Sequence, residues 1–150
     1  MSFLVTRATR ADIPACIRLN QTSMPENYLP MFWTTHYNQF GDMFFVAKVD
    51  GELIGYVMCR EEVVNGIRTG LVVSIAVDSR YRKLGVGQEL MKNAHYAMRE
   101  RRMKVAALQV RQSNVSAIAL YQGMGYANSH TIHDYYNHPS EDAYLMTYVL

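Results

Sequence analysis

Most features that announce a specialised chemistry are missing from this sequence. Cysteine is scarce: Cys16 and Cys59 stand alone, with no Cys-x-x-Cys spacing. That excludes a zinc-ribbon ligand set and a thiol redox pair, and both read as reduced packing residues. The five histidines, His36, His95, His130, His133 and His138, form no metal-ligand spacing, so no metal is expected. No stretch approaches the roughly 18 apolar residues of a membrane span. The opening run MSFLVTRATRADIP lacks an apolar signal core. The expectation is a soluble, cytoplasmic protein with no membrane partner. Fifteen basic against 13 acidic residues leave a net charge of only +2, which argues against nucleic acid as a partner. No repeat, low-complexity tract or linker interrupts the chain. What is there is 150 residues, enough for one domain that buries a core without staples.

Hydrophobic periodicity gives an alternating order of elements. Phe3–Thr9 reads as a short strand, and Thr9–Asp12 offers capping side chains to a helix carrying Ile13, Cys16, Ile17 and Leu19. MPENYLP (24–30) is a loop broken by Pro25 and Pro30, and a helix follows over 31–40. Residues 43–59 are two strands joined by Asp50-Gly51, a hairpin signal, and Asn65-Gly66 marks a second hairpin. A long strand is expected over 67–77, an amphipathic helix over 85–101 and a buried strand over 104–110. Asn114 caps a helix over 115–124 that Gly125 ends, and strands over 126–136 and 143–150 close the chain. The fold class is therefore α/β, a mixed sheet of about seven strands with about four helices.

The segment YRKLGVGQEL (81–90) sits between a strand and a helix. The first amides of a helix have no internal partner and carry the positive end of its dipole. Gly85 and Gly87 lack a Cβ that would keep a ligand from the main chain, and Arg82 and Lys83 add full charges. The arrangement suits a pyrophosphate, although an ordinary helix start with solvated cations has the same composition. A Walker A loop is excluded because no Gly-Lys-Ser/Thr run exists. The Rossmann fingerprint is excluded because its third glycine and later acid are absent.

Arg82-x-x-Gly85-x-Gly87 resembles the acetyl-CoA motif of the GNAT N-acetyltransferase superfamily. SNVSAIALYQGMGY (113–126) is similar to its second motif, with Asn114, Tyr121 and Gly125 in register. MPENY (24–28) resembles a loop of N-terminal protein acetyltransferases, and YYNHPSEDAYLM (135–146) resembles their final hairpin. The likeness runs over nearly the whole chain and points to archaeal Ard1-type enzymes, the catalytic subunit of the NatA complex and bacterial ribosomal-protein alanine acetyltransferases.

The resemblance implies a single GNAT domain over 1–150 whose sheet splays between the strands at 67–77 and 104–110. Acetyl-CoA, the co-substrate, would lie in that opening. Its pantetheine would run beside Ile75, Ala76 and Val77, and its pyrophosphate would rest on Arg82, Lys83, Leu84, Gly85, Val86 and Gly87. Asn114 would hold the pantetheine arm, cap its own helix, or both. Tyr121 matches the family's general acid. A phenol titrates near ~10 and a thiol near ~8.5, so its O–H can serve a departing thiolate. Composition alone would make it a core residue, one of eleven tyrosines. Relatives place His or Glu at the position of Gln109, and an amide cannot accept a proton; Gln109 is left to hold water or peptide backbone. Glu26 is then the candidate base, with an ordered water beside it and His133 as a remote reserve; a plain loop carboxylate is the equal alternative. Met24, Pro25 and Tyr28 on one flank, and Tyr135 and Tyr136 on the other, would contact the peptide, or else form a surface aromatic cluster. The loop between Tyr136 and Glu141 is one residue longer than in the nearest relatives.

The implied reaction is acetyl transfer to a protein N-terminal amine. An auxiliary subunit or the ribosome as partner, and a monomer or homodimer, stay open. A GNAT enzyme for a small amine or a lysine is the alternative, and a non-catalytic acetyl-CoA-binding module is the third. An α-amino group titrates near ~7.7–8.0 and needs only a modest base, whereas lysine at ~10.4 needs more help.

Overall fold

The computed structural model describes residues 2–150, and Met1 lies outside them. Seven strands and four α-helices follow the expected order. β1 (Leu4–Arg7), α1 (Ile13–Ser23), α2 (Pro30–Phe40), β2 (Phe44–Val49), β3 (Glu52–Val64) and β4 (Ile67–Val77) form the first half. α3 (Val86–Glu100), β5 (Val105–Arg111), α4 (Val115–Gly123), β6 (Ala127–Tyr136) and β7 (Glu141–Val149) complete it. The sheet order is β1-β2-β3-β4-β5-β7-β6. Every neighbouring pair is antiparallel except β4 with β5, which run parallel.

The elements expected from the sequence hold to within a residue or two at most ends. Both hairpin dipeptides adopt the left-handed conformations that short turns demand, at Asp50, Gly51, Asn65 and Gly66. The entry to α1 differs in one respect. A 3₁₀ turn over Arg10–Asp12 precedes it, closed by a reciprocal box between Thr9 and Asp12, whose Oδ2 accepts from Thr9 N at 2.8 Å. Asp12 is buried and also meets Lys48 Nζ at 2.8 Å. Burial works against its charge, but the bonds from Lys48 and Thr9 outweigh that and keep its carboxyl below the usual range.

Apolar side chains leave both faces of the sheet and make two cores. α3 and α4 cover one face, where Leu90, Met91, Ala94 and Met98 pack on Val57, Cys59 and Val72. α1 and α2 cover the other, where Cys16 and Trp33 pack on Phe44, Val46, Tyr56 and Met58. Gly70 lets α3 approach β4 closely: a Cβ there would collide with Met98. Burial pushes both cysteine thiols up, to about 12 at Cys16, so neither is a nucleophile.

β4 and β5 pair at only three positions, Thr69 with Val105, Gly70 with Ala106 and Leu71 with Ala107. Beyond them each strand keeps its outer partner, β3 for β4 and β7 for β5. The register of β3 against β4 shifts between Met58 and Cys59, which face Ser74 and Val72, so Val73 is an extra residue in β4. A bulge bends its strand. Here it lies where β4 parts from β5. The expected splay is present, and its open side carries Ile75, Ala76 and Val77 on one wall and Gln109 and Arg111 on the other.

Candidate active site

The turn expected to hold the cofactor is built largely from main chain. Gly85 is the N-cap of α3 and has φ +86°, a conformation that glycine adopts without strain. No side chain caps α3, and its first internal bond runs from Glu89 N to Gly85 O at 3.0 Å. The amides of Val86, Gly87 and Gln88 are therefore the unpaired donors of this helix end. A Cβ built on Gly85 would meet nothing within 4 Å, so the surface above it is open. Gly87 also serves packing: its Cβ would come within 3.3 Å of Leu120, so its bareness lets α3 approach α4. Lys83 also takes a positive φ, +62°, and turns the chain into this helix start. Arg82 Nε bonds the carbonyl of Val77 at 3.3 Å, tying the turn to the end of β4. Leu84 is exposed at the same turn. Free amides, a dipole and two nearby cations fit a diphosphate.

α4 begins differently. Asn114 Oδ1 accepts from Ala117 N at 3.3 Å, so its capping role is realised. Tyr121 is buried with its ring tilted against Tyr126, the centroids 5.9 Å apart. Burial raises its phenol to about 12, so it holds its proton at neutral pH. Its hydroxyl makes no hydrogen bond to any other described residue.

The region expected to meet a peptide is built from side chains of distant segments. Glu26, in the loop between α1 and α2, accepts at Oε1 from Arg111 Nε at 2.9 Å and Nη2 at 2.6 Å. Arg111 Nη1 reaches the carbonyl of Pro139 at 2.9 Å and Glu141 Oε1 at 3.1 Å. The Arg111 guanidinium also lies 4.4 Å from the Tyr136 ring centroid. Only 10 % of the Arg111 side chain is exposed, so these contacts are shielded from solvent more than a surface pair. Bonds from Ser113 first, and then from Arg111, hold the Glu141 carboxyl below its ordinary range. Tyr28 stacks on Phe32 at 4.3 Å, and Tyr135 meets Tyr136 edge-on at 4.9 Å. Burial first, then the nearby Glu26 carboxylate, pushes the phenols of Tyr28 and Tyr136 up.

Glu26, Glu141 and Tyr136 thus meet at one guanidinium, Tyr135 packs on Tyr136, and Tyr28 lies near Glu26 and Tyr135, with Met24 and Pro25 in the same loop as Glu26. Gln109 sits two residues before Arg111 on β5, opposite Leu145 of β7. His133 is exposed and pairs with Asp142 at 3.1 Å. Reasoning from the sequence missed Arg111, because it ended the fifth strand at Val110. The strand runs one residue further. The available signal was a cation closing an apolar strand immediately before the second motif. It also missed Asn20, Tyr56 and Ser74, whose buried polar atoms meet behind the loop. Among the described residues no group of three or more His, Cys, Asp or Glu is placed to hold a metal. No helix among them is long and apolar enough to cross a membrane.

The sequence model of the Acetyltransferase (GNAT) family matches residues 13–126. The chain is 37 % identical over 155 residues to the N-alpha-acetyltransferase of Sulfolobus acidocaldarius, covering 97 % of this chain and 92 % of that protein. It is 33 % identical over 145 residues to the N-terminal acetyltransferase A complex catalytic subunit NAA10 of Arabidopsis thaliana, covering 95 % of this chain and 75 % of that one. The crystal structure of Ard1 from Thermoplasma volcanium superposes with a TM-score of 0.90 at 26 % identity, over 100 % of this chain and 99 % of that one. The splayed sheet, the uncapped glycine start of α3 and these likenesses agree, and the chain belongs to the GNAT acetyltransferase family.

Proposed function

We propose that this protein transfers the acetyl group of acetyl-CoA to the N-terminal α-amino group of proteins, by direct attack within a ternary complex. One observation carries the reading furthest. The two flanks named for a peptide meet through Arg111 at the open end of the β4–β5 splay, where the cofactor's acyl end would arrive. The relatives from Sulfolobus and Arabidopsis bear names for the same reaction.

In this reading the amides at Val86 and Gly87, with Arg82 and Lys83, hold the pyrophosphate. The main chain of Ile75, Ala76 and Val77 lies beside the pantetheine, and an N–H near Ile75 polarises the thioester carbonyl. Asn114 adds a contact to the arm while capping α4. The neutral amine attacks the thioester carbon, the C–S bond breaks, and the sulfur leaves with its electron pair. Tyr121 supplies the proton to that sulfur, which its raised pKa keeps in place until then. The proton lost by the attacking nitrogen goes to Glu26 or to an ordered water. Glu26 Oε1 is committed to Arg111, and Oε2, which has no bond to a described residue, is the atom free to take it. A base of modest strength suffices, because an α-amino group near ~7.7–8.0 is partly neutral already. Tyr28, Tyr135, Tyr136, Met24, Pro25 and Gln109 line the path of the first residues.

The test is thiol release from acetyl-CoA with peptides beginning Ser, Ala, Met-Leu or Glu, each carrying an internal lysine, with spermine as a control. Release with at least one peptide, and acetylation at its α-amine, is expected. Release with spermine alone would reject the reading in favour of a small-amine enzyme. Activity of the chain by itself would also show that no auxiliary subunit is required.

A further inference from the structure

The loop at 24–29 is held from two sides, and only one of them is Arg111. On the inner side, Asn20 near the end of α1 is 1 % exposed and donates both hydrogens of its side-chain amide. Nδ2 bonds the main-chain carbonyl of Glu26 at 3.0 Å and the Tyr56 hydroxyl at 3.1 Å. Tyr56 Oη in turn lies 2.7 Å from Ser74 Oγ. A carbonyl can only accept, so the nitrogen of the Asn20 amide must face Glu26. Tyr56 accepts from that nitrogen, and the one oxygen within reach of its own proton is Ser74 Oγ. The phenol is fully buried, and leaving its proton unpaired there would cost free energy. The chain of bonds therefore runs from Asn20 to Tyr56 to Ser74, with a branch from Asn20 to Glu26.

Its two ends matter. Glu26 is the loop carboxylate of the site, and Ser74 is the residue of β4 that follows the extra Val73 and precedes Ile75. We propose that Asn20, Tyr56 and Ser74 are positioning residues that lock the loop carrying Glu26 and Tyr28 to the splayed part of β4. The inference rests on the peptide-acetylating reading above for what the loop binds, but the locking itself does not. All three are buried and act through the loop; they fix the distance between the wall that reads the peptide and the strand that aligns the thioester. Shape is maintained separately, since the Tyr56 ring packs edge-on to Trp33 at 5.2 Å and 78°. Removing the hydroxyl therefore cuts the link from Asn20 to β4 and leaves both the packing and the bond from Asn20 to Glu26.

The experiment compares the full chain with Tyr56→Phe, and with Asn20→Asp, which keeps the shape but turns a donor into an acceptor opposite the Glu26 carbonyl. Hydrogen exchange of the 24–29 amides is the first readout. Exchange should quicken by about tenfold in that loop and stay unchanged in α3 and β5, because a local lock sets local opening. Peptide KM should rise about tenfold, kcat should change less, and acetyl-CoA affinity should hold within about twofold, the split expected when only one substrate's wall is loosened. Unaltered exchange in the loop, or a loss of cofactor affinity equal to the loss for peptide, would overturn the proposal. If the wild-type chain acetylated no peptide, the functional reading would fall while the exchange result still decided the lock. Ser74→Ala removes only the terminal acceptor, and its loop exchange decides the question in the same way if either of the other variants does not fold.

Discussion

The two halves of the site are made in opposite ways. The half proposed for the cofactor is main chain: the end of β4, a turn and the uncapped start of α3, all within 75–87. The half proposed for the peptide is side chain: Glu26 and Arg111 lie 85 residues apart in sequence, and Glu141 lies 30 beyond Arg111. The first is therefore robust to most side-chain changes and fragile to a change at one glycine. The second depends on a guanidinium and can be weakened in steps without disturbing the first.

That contrast can be broken most severely at Gly85. Gly85→Glu forces a bulky residue into φ +86° and sets a carboxylate against the amides meant for a phosphate. Acetyl-CoA affinity should fall at least ~100-fold by calorimetry, about 2.8 kcal/mol. Unchanged affinity would mean that the pyrophosphate rests elsewhere. Tyr121→Phe should come next. It should lower kcat by roughly 10²-fold, the usual scale of a general acid, and spare acetyl-CoA binding. Lost binding on calorimetry would make Tyr121 a packing residue and not an acid.

Arg111→Gln sharpens the comparison from the other side. It strands Glu26 and Glu141 together and should raise peptide KM about tenfold or more, since a shielded charge pair loses its partner. Cofactor affinity should hold. An equal loss for both ligands would show that the two halves are not separable.

The last effect is on stability and not on activity, away from both halves. His95, on the buried face of α3, has Nε2 2.6 Å from the Tyr126 hydroxyl. Burial, then the charge of Arg99, lowers its pKa from 6.5 to about 4. Between those values the unfolded chain binds a proton that the folded chain refuses, so stability rises with pH and falls on acidification. Asp12 and Glu141, whose folded values are also lowered, extend the loss to lower pH. His95→Gln should flatten the stability profile between about pH 4 and 6.5, and by at most about 3 kcal/mol. A slope in that window identical to wild type in denaturant titrations would contradict the shift.

What could be read from the sequence divides along the same line. The strand–turn–helix at 81–90 is local, so its glycines and cations could be read in order, and the splay of β4 from β5 followed from the resemblance. Gly85 was legible because a left-handed cap has a residue type. Gly87 was read as part of the cradle; its packing against Leu120 is a further contact, from another helix, that no local spacing shows. Glu26 and the tyrosines were legible as motif residues. Their shared partner Arg111 was not, because a strand end is uncertain by a residue or more and a lone cation after an apolar run has many uses. Asn20, Tyr56 and Ser74 left no trace either: a polar residue on a helix, a tyrosine and a serine in strands carry no pattern until the sheet brings them together.

The most direct test of the central claim is mass spectrometry of one peptide after incubation with acetyl-CoA and the purified protein. The peptide should have a free N-terminus and an internal lysine, and fragmentation locates the acetyl group. The account predicts acetate on the α-amine, abolished by Gly85→Glu and slowed by Tyr121→Phe. Acetate on the lysine alone, or α-amine acetylation that survives Gly85→Glu at the wild-type rate, would contradict it.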